Sequence, residues 1–119
     1  MSSEPIQLGA VSDFPPGEGV RVNVDGLPAP LAVFNVDGEF YAVPDACPHK
    51  GAPLSRAGTT PRGPDDLGTR GKLDAERRTV SCPWHGLEFD LETGECPATR
   101  YRVRSFDVTV EDGDVTLSL

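Results

Sequence analysis

Apolar and polar residues alternate along much of this chain with a period of two. In "GVRVNV" (19–24), Val20, Val22 and Val24 alternate with Arg21 and Asn23, the pattern of a half-buried strand. "LAVFNVDGEFYAV" (31–43) sets two apolar runs around Asp37-Gly38. Asp-Gly tolerates the positive φ of a tight hairpin turn, so the segment predicts a β-hairpin. "SFDVTVEDGDVTLSL" (105–119) repeats the device around Asp112-Gly113, with Val108 and Val110 before the turn and Val115, Leu117 and Leu119 after it. "FPPGEG" (14–19) reads as a turn, because proline supplies no N–H to a ladder. No long amphipathic helix is evident, and the expected fold class is all-β. Residues 57–72, "AGTTPRGPDDLGTRGK", have little to bury and predict a long surface loop.

Composition sharpens this picture. The chain has 119 residues, 37% of them hydrophobic, with 13 glycines and 12 prolines. That is one domain with many turns. No run of 18 apolar residues exists, so no membrane span is expected. The start, "MSSEPIQLG", has neither a charged nor an apolar leader region, and a cytoplasmic protein is the expectation. The net charge of −8 argues against nucleic acid as a partner, since phosphate contacts need clustered Lys and Arg. Charge is unevenly spread. Residues 1–49 hold one basic and seven acidic groups, residues 50–78 seven and four, and residues 79–119 three and eight. Lys50, Arg56, Arg62, Arg70, Lys72, Arg77 and Arg78 therefore form a basic stretch that is either a solvated loop or a docking collar.

Candidate chemistry sits in two short phrases, "ACPHKGAPL" and "CPWHGLEFDLETG". They place Cys47 and His49 as C-x-H and, after a 32-residue gap, Cys82 and His85 as C-x2-H, which uses both histidines of the chain. A short Cys/His spacing lets one tight loop present two ligand atoms to one centre. Three identities compete on these residues. One is a structural zinc ion, although zinc modules more often pair like with like. A second is a Cys47–Cys82 disulfide, which would leave Cys96 over. The third is a cluster held by two thiolates and two imidazoles.

The two phrases resemble the signature loops of the Rieske iron–sulfur family, and "FPPGEGVRV", "VFNVDGEFYAV" and "VEDGDVTL" are similar to the scaffold of its small ferredoxins. The resemblance implies an antiparallel β-sandwich with a cluster-binding subdomain at about 46–95 and a base at about 1–45 and 96–119. It implies one [2Fe–2S] cluster, with Cys47 and Cys82 on one iron and His49 and His85 on the other. Pro97 resembles the family's third, proline-containing loop, and Cys96 would be a structural thiol. Trp84 is expected to pack beneath its loop. The spacing between the two loops is longer than is typical of the family by roughly the length of 57–72, which reads as an insertion. High-potential members carry a Cys pair, a Ser and a Tyr where this chain has Ala52, Trp84, Leu87 and Phe89. The resemblance thus implies a low-potential one-electron carrier rather than a complete enzyme. Its implied partners are a flavin-dependent reductase and a terminal oxygenase. An accessory subunit of a nitrite-reductase-like complex, or a zinc-stabilised binding module, are the alternatives.

Overall fold

The computed structural model describes residues 6–27, 29–48, 51, 53–56, 73–74, 76–82, 87–97 and 99–118. The loop expected at 57–72 lies outside them. Nine strands are present among the described residues: β1 (Ile6–Ala10), β2 (Gly19–Val22), β3 (Leu31–Val36), β4 (Glu39–Pro44), β5 (Leu73–Asp74), β6 (Thr79–Ser81), β7 (Glu88–Asp90), β8 (Asp107–Glu111) and β9 (Asp114–Ser118). Two single 3-10 turns, Val11–Asp13 and Leu54–Arg56, are the helical elements among the described residues. The strands make three antiparallel sheets, ordered β1-β9-β8, β2-β3-β4 and β5-β6-β7.

Both expected hairpins form where the Asp-Gly pairs place them. Asp37 and Gly38 have φ of 52° and 88°, and Asp112 and Gly113 have 51° and 79°. Two successive residues at positive φ twist the turn to match the flanking strands, so β3 pairs with β4 and β8 with β9 in direct register. The strand expected over 19–24 forms over its first four residues.

Strand β3 carries the fold. All six of its residues are buried. Ala32, Phe34 and Val36 face one core, and Leu31 and Val33 face another. The central sheet is thus apolar on both sides, and a strand buried on both faces reads as a continuous apolar run. One core, with Phe14, Ala42, Phe106, Val115 and Leu117, joins it to β1-β9-β8. The other joins it to β5-β6-β7 and contains all three cysteines of the chain.

Candidate metal centre

Two loops leave the second core, each with a cysteine at its base. The first follows β4. Cys47 is 2% exposed, and its carbonyl accepts a hydrogen bond from the Gly51 N–H at 2.7 Å, closing a tight turn. The second follows β6. The Cys82 N–H donates to the Leu87 carbonyl at 2.8 Å, and β7 then returns antiparallel to β6, with Val80 opposite Phe89. Cys82 is also 2% exposed. Leu54, Leu73, Val80, Phe89 and Leu91 surround the two thiols in one core, and Leu87 packs against it.

His49 falls between the ends of the first closed loop in sequence, and His85 between the ends of the second. Both histidines, with Ala52, Trp84 and Gly86, lie outside the described residues. Among the described residues no group of three or more His, Cys, Asp or Glu side chains is placed to hold a metal ion. No disulfide joins Cys47, Cys82 or Cys96, so the disulfide alternative does not occur in this structure. The donor chemistry fits an iron–sulfur group. Two buried thiols share one apolar core, where a thiolate charge needs a metal to offset its lost hydration. Each thiol stands in a short loop whose sequence adds one imidazole.

The first loop is held by a residue that sequence patterning did not single out. The Asp45 side chain is fully buried. Its Oδ1 accepts the Ser55 N–H at 2.6 Å and its Oδ2 the Ser55 hydroxyl at 2.7 Å. Arg21 Nε stands 3.7 Å from Oδ2. The Asp45 N–H donates to the Pro30 carbonyl at 2.8 Å. One carboxylate, two residues before Cys47, thus ties the Leu54–Arg56 turn to the cysteine strand. A buried charge survives only when so paired. The available signal was an aspartate between an apolar strand and a Cys-Pro turn, which by itself reads as ordinary loop polarity.

A third segment closes the core from the C-terminal side. Cys96 is 4% exposed; its N–H donates to the Tyr101 carbonyl at 3.2 Å, and its carbonyl accepts from Thr99 at 3.0 Å. The segment begins at Gly94, whose carbonyl accepts the Val103 N–H at 2.8 Å. Gly94 has φ of 81°, and a Cβ there would coincide with the Val103 carbonyl oxygen. Only glycine fits this crossing.

Charges lash the cysteine-bearing sheet to the central one. Arg78 donates to the Val36 carbonyl at 3.2 Å and lies 3.5 Å from Asp37 and 3.6 Å from Glu39. Tyr41 donates its hydroxyl to Glu39 at 2.9 Å, with Glu92 at 3.4 Å. Burial, the hydrogen bond to Glu39 and the charges of both carboxylates push the Tyr41 phenol up to about 12. Arg77 pairs with Glu88 at 3.4 Å. Of the seven residues of the expected basic collar, Arg77 and Arg78 are therefore engaged in ion pairs within the molecule and Arg56 also has a partner; Lys50, Arg62, Arg70 and Lys72 lie outside the described residues.

No described helix is long and apolar enough to cross a membrane. A family model described as "Rieske [2Fe-2S] domain" matches residues 4–109. The chain is 36% identical over 112 residues to the 3-phenylpropionate/cinnamic acid dioxygenase ferredoxin subunit of Escherichia coli K12, covering 92% of this chain and 88% of that one. A chain of the complex of reduced oxygenase and oxidized ferredoxin in carbazole 1,9a-dioxygenase is 34% identical, with a TM-score of 0.73 over 98% of this chain and 94% of that one. A protein described as the small subunit of an NADH-dependent nitrite reductase from Mycobacterium tuberculosis superposes with a TM-score of 0.77 over 100% and 97% of the chains. At 24% identity that last likeness concerns the fold alone.

Proposed function

This chain belongs to the Rieske [2Fe-2S] domain family, and on that premise we propose that it carries electrons, one at a time, from a flavin-dependent reductase to a terminal oxygenase. The observation that carries the reading is the 36% identity, over nearly the whole of both chains, to a dioxygenase ferredoxin subunit. The matched domain spans most of the chain, and neither a nucleotide-binding glycine fingerprint nor a second set of ligands is present in the sequence. The protein is therefore the electron-transfer component of an oxidoreductase system and not a catalyst by itself. The chemistry of its one bound [2Fe–2S] cluster is the uptake and release of a single electron.

In this reading Cys47 and Cys82 hold one iron through their thiolates, and His49 and His85 hold the other through imidazole. Residues 46–95 form the cluster-binding unit, and 1–45 with 96–119 the base that supports it. The buried thiols support the sulfur half of this assignment; the C-x-H and C-x2-H spacing supports the nitrogen half. Asp45 orients the first loop through Ser55, and the β6-β7 pairing orients the second. Three buried cysteines without a disulfide fit a reducing compartment, which supports a cytoplasmic location.

Iron and acid-labile sulfide analysis of single variants tests the proposal. Cys47→Ser, Cys82→Ser, His49→Ala and His85→Ala should each lose the cluster and its visible absorption. Cys96→Ser should keep both. The parent should take up one electron per chain from dithionite. A His85→Ala protein with a normal spectrum, or a Cys96→Ser protein without iron, would overturn the assignment.

A further inference from the structure

Resting on the electron-carrier reading, we propose that the exposed strip Arg100–Arg104 is the docking element for an acidic surface of a flavoprotein redox partner.

All three basic residues of the last 41 positions fall within "RYRVR" (100–104), in a chain whose net charge is −8. Arg100, Tyr101, Arg102 and Arg104 are all exposed. Arg100 has no ion-pair partner among the described residues. Arg102 pairs with Glu95 at 2.7 Å across the surface, with both side chains more than half exposed. Such a pair is worth under about 1 kcal/mol, so an incoming carboxylate can replace Glu95 at little cost. Arg104 lies over the Phe106 ring at 4.4 Å, beside Leu27, Ala29 and Pro44, which fixes its guanidinium. Tyr101, 38% exposed, stands between the arginines as one of two exposed large hydrophobic residues among the described residues. Tyrosine and arginine together are the side chains that most often anchor protein interfaces.

The strip also has shape and position. Glu95, Cys96, Thr99, Arg100, Tyr101 and Arg102 line an open, mainly polar recess of about 300 Å³. That volume admits one or two acidic side chains of a partner. One of these lining residues, Cys96, belongs to the same core as Cys47 and Cys82. A partner seated there docks on the base, against the core that also holds the two candidate thiolate ligands. By contrast, the Arg78 side chain is only 23% exposed and is drawn into ion pairs with Asp37 and Glu39. Arg100 and the exchangeable Arg102 are the cations that line this recess.

Stopped-flow reduction of the cluster-loaded protein by a reduced flavodoxin, a small acidic flavoprotein, tests the proposal. At low ionic strength Arg100→Gln should lower the second-order rate constant several-fold, and Arg100→Gln/Arg102→Gln by roughly tenfold or more, within the range that electrostatic steering provides. The difference should vanish at high salt. Val110→Glu makes the same net-charge change as Arg100→Gln but on the edge strand β8, where Val110 is 48% exposed; it should alter the rate less than twofold. Electron transfer from the reduced protein to cytochrome c, a basic acceptor, should be unchanged or faster in the arginine variants. Equal slowing by Val110→Glu, slowing that persists at high salt, or equal slowing with cytochrome c would overturn the docking assignment. So would a parent that dithionite reduces but flavodoxin does not. A parent that takes up no electron from dithionite would instead overturn the electron-carrier reading itself.

Discussion

Removing the Asp45 carboxylate should loosen the first cysteine loop by an amount the structure allows to be worked out. The side chain is fully buried and accepts two short hydrogen bonds from Ser55, at 2.6 and 2.7 Å. A hydrogen bond to a charged group contributes about 1.5–3 kcal/mol, and a buried donor left without its acceptor costs about 1–3 kcal/mol. Asp45→Ala strands the Ser55 N–H and hydroxyl together, so a loss of about 3–5 kcal/mol is expected from two hydrogen bonds to a charged group. Asp45→Asn keeps one carbonyl acceptor and should lose about half as much. Arg21 is 3.7 Å away with a side chain 57% exposed, so Arg21→Ala should cost under about 1 kcal/mol. Against a typical total of about 5–15 kcal/mol, the alanine variant remains folded but marginal. The assay is urea unfolding at pH 7 followed by circular dichroism and by visible absorption, with a parallel measurement of iron release to a chelator. If the opening of the Cys47 loop gates release, 3–5 kcal/mol raises the open fraction by about two to three and a half powers of ten. Asp45→Ala within 0.5 kcal/mol of the parent (about the noise of a neutral surface change) would refute the reasoning. So would Arg21→Ala as costly as Asp45→Ala, because the charge pair and not the Ser55 bonds would then be the anchor.

The remaining predictions concern the site and its lashings. Leu87→Ser/Phe89→Tyr adds two hydroxyl donors beside the Cys82 loop; at about 1.5–3 kcal/mol each, the midpoint potential should rise by something on the order of 100–250 mV in protein-film voltammetry. An unchanged potential would remove the hydroxyl argument, and a parent midpoint well above 0 mV at pH 7 would contradict the low-potential reading. In an alkaline absorbance titration Tyr41 should ionise near 12, and Glu39→Gln should bring it down towards the ordinary value of 10.0. Because the folded-state value is raised, the stabilisation is fully present below about 10 and is lost as the pH rises towards 12. Unfolding midpoints measured across that window should fall in the parent and fall less in Tyr41→Phe.

What the sequence determined by itself was local chemistry. The turns at Asp37-Gly38 and Asp112-Gly113 are legible because their positive φ values depend on the two residues that occupy them. The four candidate ligands are legible because each pair sits inside one short loop, so spacing alone brings its two donors together. Tertiary structure decided what depends on distant partners. Strands β5, β6 and β7 are two or three residues long and exist only through pairing, so they carry no periodicity of their own. Strand β1 has a register shift between Gln7 and Gly9, which blurs its alternation. The apolar run of β3 announced burial, but only packing divided Leu31 and Val33 from Ala32, Phe34 and Val36 and made the strand the shared wall of two cores. Asp45 finds Ser55 ten residues away, and Arg78 finds Val36 forty-two residues away. Charge is countable along a chain, but a long flexible cation goes to whichever carboxylate the fold brings near. Arg78 therefore turned inward to its ion pairs, while Arg100 stayed available at the surface.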